Sequence, residues 1–310
     1  LRYAKKQMEI AESQEENKMY MANVYNNYGA LLGYLNDHQA ALLYFQKSYD
    51  MRKRIFGKNH SCTIQSRESI GITMKKLGDI DAAIECQKEA LNDAIHVFGK
   101  MNPEVGQMFF NLSNAYEQKK DYINRLDSLV QSFNIYNKTL GENHPRTKDT
   151  KRALAFAYNN AGVIYHNSGN HEIACKYKSR SIDYFIVEND EDLAILVEFY
   201  ESLISSIVLS GNNESALDYR LKLITLEIDH YGYFHQNKFQ TLCDVALNYK
   251  ELEKYNEAIE CLEKGLEISL ICEDCELVEH IYQGLILVYE AMADKNMSDY
   301  YNSLLIELRT

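Results

Sequence analysis

The sequence predicts an all-α chain built as a repeat of antiparallel helix pairs, and three observations carry the prediction. Only two prolines occur in 310 residues, a composition suited to continuous helices, since proline removes a helical donor and clashes with the preceding turn. The chain is also self-similar: Phe56-Gly57, Phe98-Gly99 and Leu140-Gly141 recur at a step of 42 residues, and a fixed period of this size signals a repeat architecture. A second set of positions, Gly29, Gly71, Ser113, Gly162, Ile204 and Ala246, keeps that step of 42 throughout, except for one step of 49 between Ser113 and Gly162.

Each element of the unit follows from its residues. The glycine dipeptides are followed by Lys58-Asn59-His60-Ser61, Lys100-Met101-Asn102-Pro103 and Glu142-Asn143-His144-Pro145. Glycine supplies the positive φ that closes a helix, asparagine caps the next one and proline opens it, so each motif reads as a stop followed by a start. Three residues after each phase position comes a large residue: Leu32, Met74, Tyr116, Tyr165, Ile207 and Tyr249. Twelve after it come Ala41, Ala83, Arg125, Ala174, Ala216 and Ala258. Small residues at two fixed places let helices approach closely, and the large one fills the gap between them. Seven after it, Asn36, Gly78, Lys120, Gly169, Gly211 and Glu253 mark a short turn. The units then lie near 21–58, 61–100, 103–141, 145–190, 193–232 and 236–272, with a degenerate seventh near 276–310 that uses Tyr289 as its large residue. Residues 1–20 read as the second helix of a preceding repeat, because Tyr3 lies 42 residues before Phe45. The chain is therefore expected to begin in mid-repeat, as a piece of a longer protein.

The spacing in Ile70-Gly71, Met74, Gly78, Ala83 and Ala90 resembles the tetratricopeptide repeat, and the likeness runs over essentially the whole chain. The 42-residue period and Gly-x-Asn-His-Pro at 141–145 are most similar to the kinesin light chain subclass, where helices run about one turn longer than in the common repeat of about 34 residues. This sequence departs from the pattern at Arg125, at Gln87 and Lys178 where an aromatic is expected, and in repeats five to seven, which lose the Asn-His-Pro linker. The resemblance implies a right-handed superhelical solenoid of six to seven repeats, whose groove is lined by the first helix of each pair and binds peptide. It further implies that Asn27, Asn111 and Asn160 clamp the backbone of a ligand.

In that frame the groove faces positions six and three before the phase residue and one and four after it. They include Asn23, Gln65 and Gln107, then Asn26 and Asn159 with Glu68 and Glu201, then Asn114, and lastly Lys75 and His166. A carboxamide carries both donor and acceptor, which suits the backbone of an extended peptide whatever its sequence. Asparagine also simply tolerates a solvated helix face, but it is a mediocre helix former, and its recurrence in one register favours a binding role. Lys75 and Lys76, with Arg67 nearby, would give a basic groove for an acidic or carboxylate-ended peptide; a solvated helix end favoured by the helix dipole is the equal alternative. The seven extra residues of the 49-residue step bring Arg146, Lys148, Lys151 and Arg152 against only Asp149. Cations at a helix start cost roughly 0.3–1 kcal/mol each, so the cluster is a candidate patch for an acidic partner, the alternative being solubility of a protruding helix.

Charge and motif content set the functional limits. With 33 basic against 45 acidic residues the net charge is −12, which excludes a general nucleic-acid binder. Residues 1–150 hold 20 basic and 18 acidic residues, residues 151–310 hold 13 and 27. No apolar run reaches the roughly 18 residues of a membrane span, no signal-peptide core opens the chain, and seven scattered cysteines point to a reducing, cytoplasmic setting. Cys272 and Cys275 form a C-x-x-C near Cys261 and His280, but no second pair completes a zinc site. His171-Glu172 lacks the second histidine of a metalloprotease helix, and Glu188, Asp190 and Asp192 lack the glycine and final glutamate of a calcium loop. His60 and His144 recur with the linker and read as caps. No catalytic residue, metal or cofactor is expected. The sequence thus predicts a non-enzymatic scaffold or adaptor that holds a peptide or linear motif of another protein, with no nucleic acid and no membrane. The alternative is the sensor or scaffold domain of a larger signalling or switch enzyme whose catalytic part lies outside this chain.

Overall fold

A computed structural model describes residues 6, 9–10, 18–231, 236–271 and 275–309. Among them the chain is all-α, and its fourteen helices form seven successive pairs. These are α1 (Lys18–Tyr34) with α2 (His38–Phe56), α3 (Ser61–Lys76) with α4 (Ile80–Phe98), α5 (Pro103–Gln118) with α6 (Tyr122–Leu140), and α7 (Pro145–Asn167) with α8 (His171–Tyr184). They continue as α9 (Asp190–Leu209) with α10 (Asn213–Tyr231), α11 (Gln236–Glu251) with α12 (Tyr255–Ile271), and α13 (Cys275–Ala291) with α14 (Lys295–Arg309). The chain divides into two compact units, 1–157 and 158–310, with the boundary inside α7. Residues 18–20 belong to α1, not to the preceding helix that the sequence reading extended to residue 20; most of residues 1–17, Tyr3 included, lies outside the described residues. The 49-residue step has a simple form. Helix α7 has 23 residues where α3 and α5 have 16.

One turn is used seven times, and in five of them a single residue serves both helices. The backbone N–H of Asp37, Asp79, Asp121, Asn170, Asn212, Lys254 and Asp294 donates to the carbonyl of the large residue five positions back, from Leu32 (2.9 Å) through Met74, Tyr116, Tyr165, Ile207 and Tyr249 to Tyr289 (2.9 Å). This is the Schellman closure, which satisfies an orphan carbonyl at the helix end. The side chains of Asp37, Asp79, Asp121, Asn212 and Asp294 then accept from the backbone N–H three residues on, which starts the second helix. The intervening residue must take positive φ. Gly78, Gly169 and Gly211 do so at no steric cost, whereas Asn36, Lys120, Glu253 and Ala293 hold φ between 58° and 62°.

Within each pair the small residues govern how closely the helices approach. Ala41, Ala83, Ala174, Ala216 and Ala258 are each fully buried. A Cβ on Gly71 would stand 3.3 Å from the Ala83 carbonyl and 2.7 Å from Gln87 Cγ; on Gly162 it would stand 3.3 Å from the Ala174 carbonyl and 2.5 Å from Lys178 Cγ. The departures noted in the sequence are thus buried polar side chains lying over the contact. Lys178 donates from Nζ to the Ser202 carbonyl and to Ser206 Oγ, both at 2.8 Å. In the third pair Arg125 occupies the alanine place, 6% exposed, and pairs with Glu117 at 2.9 Å. In the first unit the core runs from Val24, Tyr28, Leu32 and Phe45 to Ile84, Leu91, Leu112 and Tyr116; in the second it includes Leu262, Ile281, Leu285 and Tyr289.

Two stability changes follow. Gly71→Val forces a branched side chain onto the Ala83 carbonyl and is expected to cost about 1–3 kcal/mol in denaturant unfolding. Lys120→Gly relieves a left-handed backbone and should raise stability by about 1 kcal/mol; a loss instead would mean that the Lys120 side chain contributes more than its backbone strain costs.

Candidate functional site

The first unit carries a cleft of about 310 Å³ on the face made by the first helices of its pairs. Helix α1 contributes Asn26, α3 contributes Ile64, Gln65 and Glu68, α4 ends there with Phe98, and α5 contributes Glu104, Gln107, Met108 and Asn111. Three of the residues assigned to a groove from sequence register, Asn26, Gln65 and Gln107, meet at this one place with Asn111, which the family resemblance implied.

Their hydrogen bonds form a line across three helices. Tyr136 on α6 donates its hydroxyl to Gln107 Oε1 at 3.0 Å, Gln107 Nε2 donates to Asn111 Oδ1 at 3.1 Å, and Asn111 Nδ2 donates to Glu68 Oε1 at 2.8 Å. The line fixes each carboxamide's orientation, and burial pushes the Tyr136 phenol up to about 12, so it stays a donor. At its other end, Oε2 of Glu68 is enclosed and accepts no hydrogen bond. Burial pushes the Glu68 carboxyl up to about 7; Glu104 adds to the rise and the Asn111 amide opposes it.

Other expected residues are placed differently. The Oδ1 atoms of Asn23 and Asn26 accept from buried Arg52, at 2.8 and 3.5 Å, and Arg52 also donates to Ser66 Oγ and the Cys62 carbonyl. What these two asparagines can offer a ligand is therefore their amide N–H. Arg67 lines a separate cleft of about 630 Å³ with Tyr49, Cys86 and Glu89, donating to Asp93 at 2.7 Å and to the Tyr49 hydroxyl at 2.6 Å. Lys75 and Lys76 end α3, and neither lines the 310 Å³ cleft. Burial, then Lys76, lowers the Lys75 pKa, and Glu117 opposes them. The expected basic groove is thus absent at this cleft, whose lining residues include two carboxylates and no cation. Asn27 is exposed and Asn114 half-buried. At the start of α7, Lys151 pairs with Glu142 at 3.4 Å, Arg146 lies beside the Tyr136 hydroxyl, and Lys148 and Arg152 are engaged as well.

Asn159, Asn160 and His166 belong to the second unit. Asn159 has a buried Oδ1 that accepts no hydrogen bond, Asn160 is half-buried, and His166 Nδ1 meets Ser206 Oγ at 2.8 Å. Burial, Lys178 and His171 all lower the His166 pKa. That unit has its own cleft of about 660 Å³, lined by Glu201, Glu227 and Asp244 together with Arg220. The register rule named Glu68 and Glu201 as groove-facing but not as site residues, although a carboxylate recurring among carboxamides was the available signal. Phe98, Glu104 and Met108 were missed, because only the packing of successive pairs brings a helix end and a neighbouring first turn to the same cleft.

No group of three or more His, Cys, Asp or Glu suited to a metal occurs among the described residues. The C-x-x-C lies outside that description, as Cys272 and the side chain of Cys275 are not described. His60 and His144 accept from the backbone N–H of Cys62 and Arg146, acting as caps, and Asp192 accepts from the Glu188 N–H at the start of α9. Burial pushes the Cys86 and Cys243 thiols up to about 11 and about 12, away from nucleophilic use. No helix among the described residues is long and apolar enough to cross a membrane.

Models of the tetratricopeptide repeat match residues 20–95, 111–146 and 239–271. A clustered mitochondria protein homolog from Neosartorya fischeri is 25% identical over 143 residues, covering 43% of this chain and 11% of the relative; the match thus spans about a tenth of that relative's length. Among solved structures, BtubC (BKLC) from P. vanneervenii is 15% identical with a TM-score of 0.47, covering 74% of this chain and 89% of that one. A putative kinesin light chain with nearly identical TPR-like repeats from Podospora anserina is 14% identical with a TM-score of 0.48, covering 70% and 98%.

The Glu68 shift has a stability consequence. The folded state binds the Glu68 proton up to about pH 7 and the unfolded chain only to about 4.5. The associated stability is present at acid pH and is lost as pH rises between those values. Replacement by glutamine keeps the shape without the charge, so the advantage of Glu68→Gln over wild type should grow by about 2 kcal/mol between pH 5 and pH 8 in chemical denaturation. An advantage independent of pH would refute the assignment.

Proposed function

The chain belongs to the tetratricopeptide repeat superfamily, and from that premise we propose that it is a non-catalytic interaction scaffold, an adaptor holding an extended segment of a partner protein along the α1–α3–α5 face. The observation that carries this reading is the Tyr136–Gln107–Asn111–Glu68 line beside a cleft with an apolar wall. An extended segment has backbone donors and acceptors to satisfy and side chains to bury, and oriented carboxamides beside apolar surface offer both. The odd, scattered cysteines support a reducing, cytoplasmic setting.

Random twelve-residue peptides displayed on phage and selected against the intact chain test this. Selected peptides should bind, and the Gln107→Ala, Asn111→Ala double variant should bind them at least tenfold more weakly with unchanged circular dichroism. Peptides indifferent to that change, or none selected, would overturn the reading.

A further inference from the structure

The chemistry of the first-unit cleft selects among partner segments. Its walls are apolar at Ile64, Phe98 and Met108, and its only charged lining residues are Glu68 and Glu104. Of the cations around it, Arg52 of α2 is turned to Asn23, Asn26, Ser66 and the Cys62 carbonyl, and Arg146 lies beside the Tyr136 hydroxyl. Glu68 has one oxygen held by Asn111 and the other enclosed without a donor. A buried carboxylate oxygen lacking a donor is costly, and a ligand that supplies one regains that cost. Glu68 lines the cleft together with Glu104.

The geometry points to this cleft as the seat of an arginine side chain from the bound segment, its guanidinium held by Glu68 and Glu104 and its aliphatic stem against Phe98 and Met108. Arginine fits better than lysine, because a planar fork can reach two carboxylates and its stem packs on apolar surface. At the register position of Glu68, Glu201 lines the larger cleft of the second unit, where Arg220 also stands and pairs with Asp244 at 3.8 Å, so a cleft lined by carboxylates without a cation is particular to the first unit. Burial pushes the Glu68 carboxyl up to about 7, so a cation arriving there would release a proton at neutral pH.

This inference rests on the groove reading above, and the test separates the two. Peptides selected on the intact chain should share an arginine at one fixed position. Replacing that arginine by citrulline, its neutral isostere, should weaken binding at least tenfold at pH 8, and Glu68→Gln should do the same. The two changes together should cost little more than either alone, and wild-type affinity should fall as pH drops from 8 to 6. Peptides without a shared basic residue, or a citrulline peptide bound as tightly as its parent, would overturn the arginine seat. If such peptides still lose binding in the Gln107→Ala, Asn111→Ala variant, the groove stands and only its preference for a cation falls. The citrulline comparison changes no residue of the protein, so it holds even where a variant perturbs folding.

Discussion

Close approach of paired helices at a contact too small for a side chain shapes the first, second and fourth pairs, where glycine holds the phase position. Where Gly71 meets the Ala83 carbonyl and Gly162 the Ala174 carbonyl, the backbones are near enough for the large residue of each turn to close the hairpin from below. The same contact sets where the turn falls. The carbonyl of Leu32, Met74 or Tyr116 accepts the 6→1 bond, and the donor residue caps the next helix. The turn lies seven to eight residues after the phase position, between the two residues of the contact, twelve apart. Repetition then follows, because one hairpin leaves an apolar side uncovered until the next stacks on it.

Polar side chains placed over that contact give each repeat a different interior. Gln87 and Lys178 fill space that an aromatic ring would otherwise fill, and both are almost completely buried. Lys178 resolves its charge by sharing Ser206 with His166 and by reaching the Ser202 carbonyl. Arg52 does comparable work between α1, α2 and α3, where its guanidinium ties two asparagines, a serine and a backbone carbonyl together. Buried ions of this kind add little net stability, yet each demands one set of partners. They explain why some apparent groove residues are already committed to the fold.

The candidate site is the complement of those commitments. Gln107 and Asn111 are oriented by Tyr136 on one side and Glu68 on the other, which leaves each a second amide N–H beyond the line. The electrostatic character of the cleft comes from Glu68 and Glu104, and it is the reverse of the basic groove that Lys75, Lys76 and Arg67 suggested. Arg67 is neutralised by Asp93 and stacked on Tyr49 in a different cleft, while Lys75 and Lys76 lie at the end of α3, outside the 310 Å³ cleft.

By itself the sequence determined the all-α class, the hairpin unit and the register of its first helices, because those depend on local rules: which residue takes positive φ, which caps a helix, which is small enough for contact. It also named Asn26, Gln65 and Gln107 as facing one surface, since position within a helical repeat follows from spacing alone, while Asn111 was implied by the family resemblance. Tertiary structure decided which of those side chains remain available and what charge the cleft carries. Arg52 occupies Asn23 and Asn26 from a helix 26 to 29 residues away, and Asn111 meets Glu68 across 43 residues. Partners so distant in sequence are chosen by how successive pairs pack, and no local spacing encodes that choice.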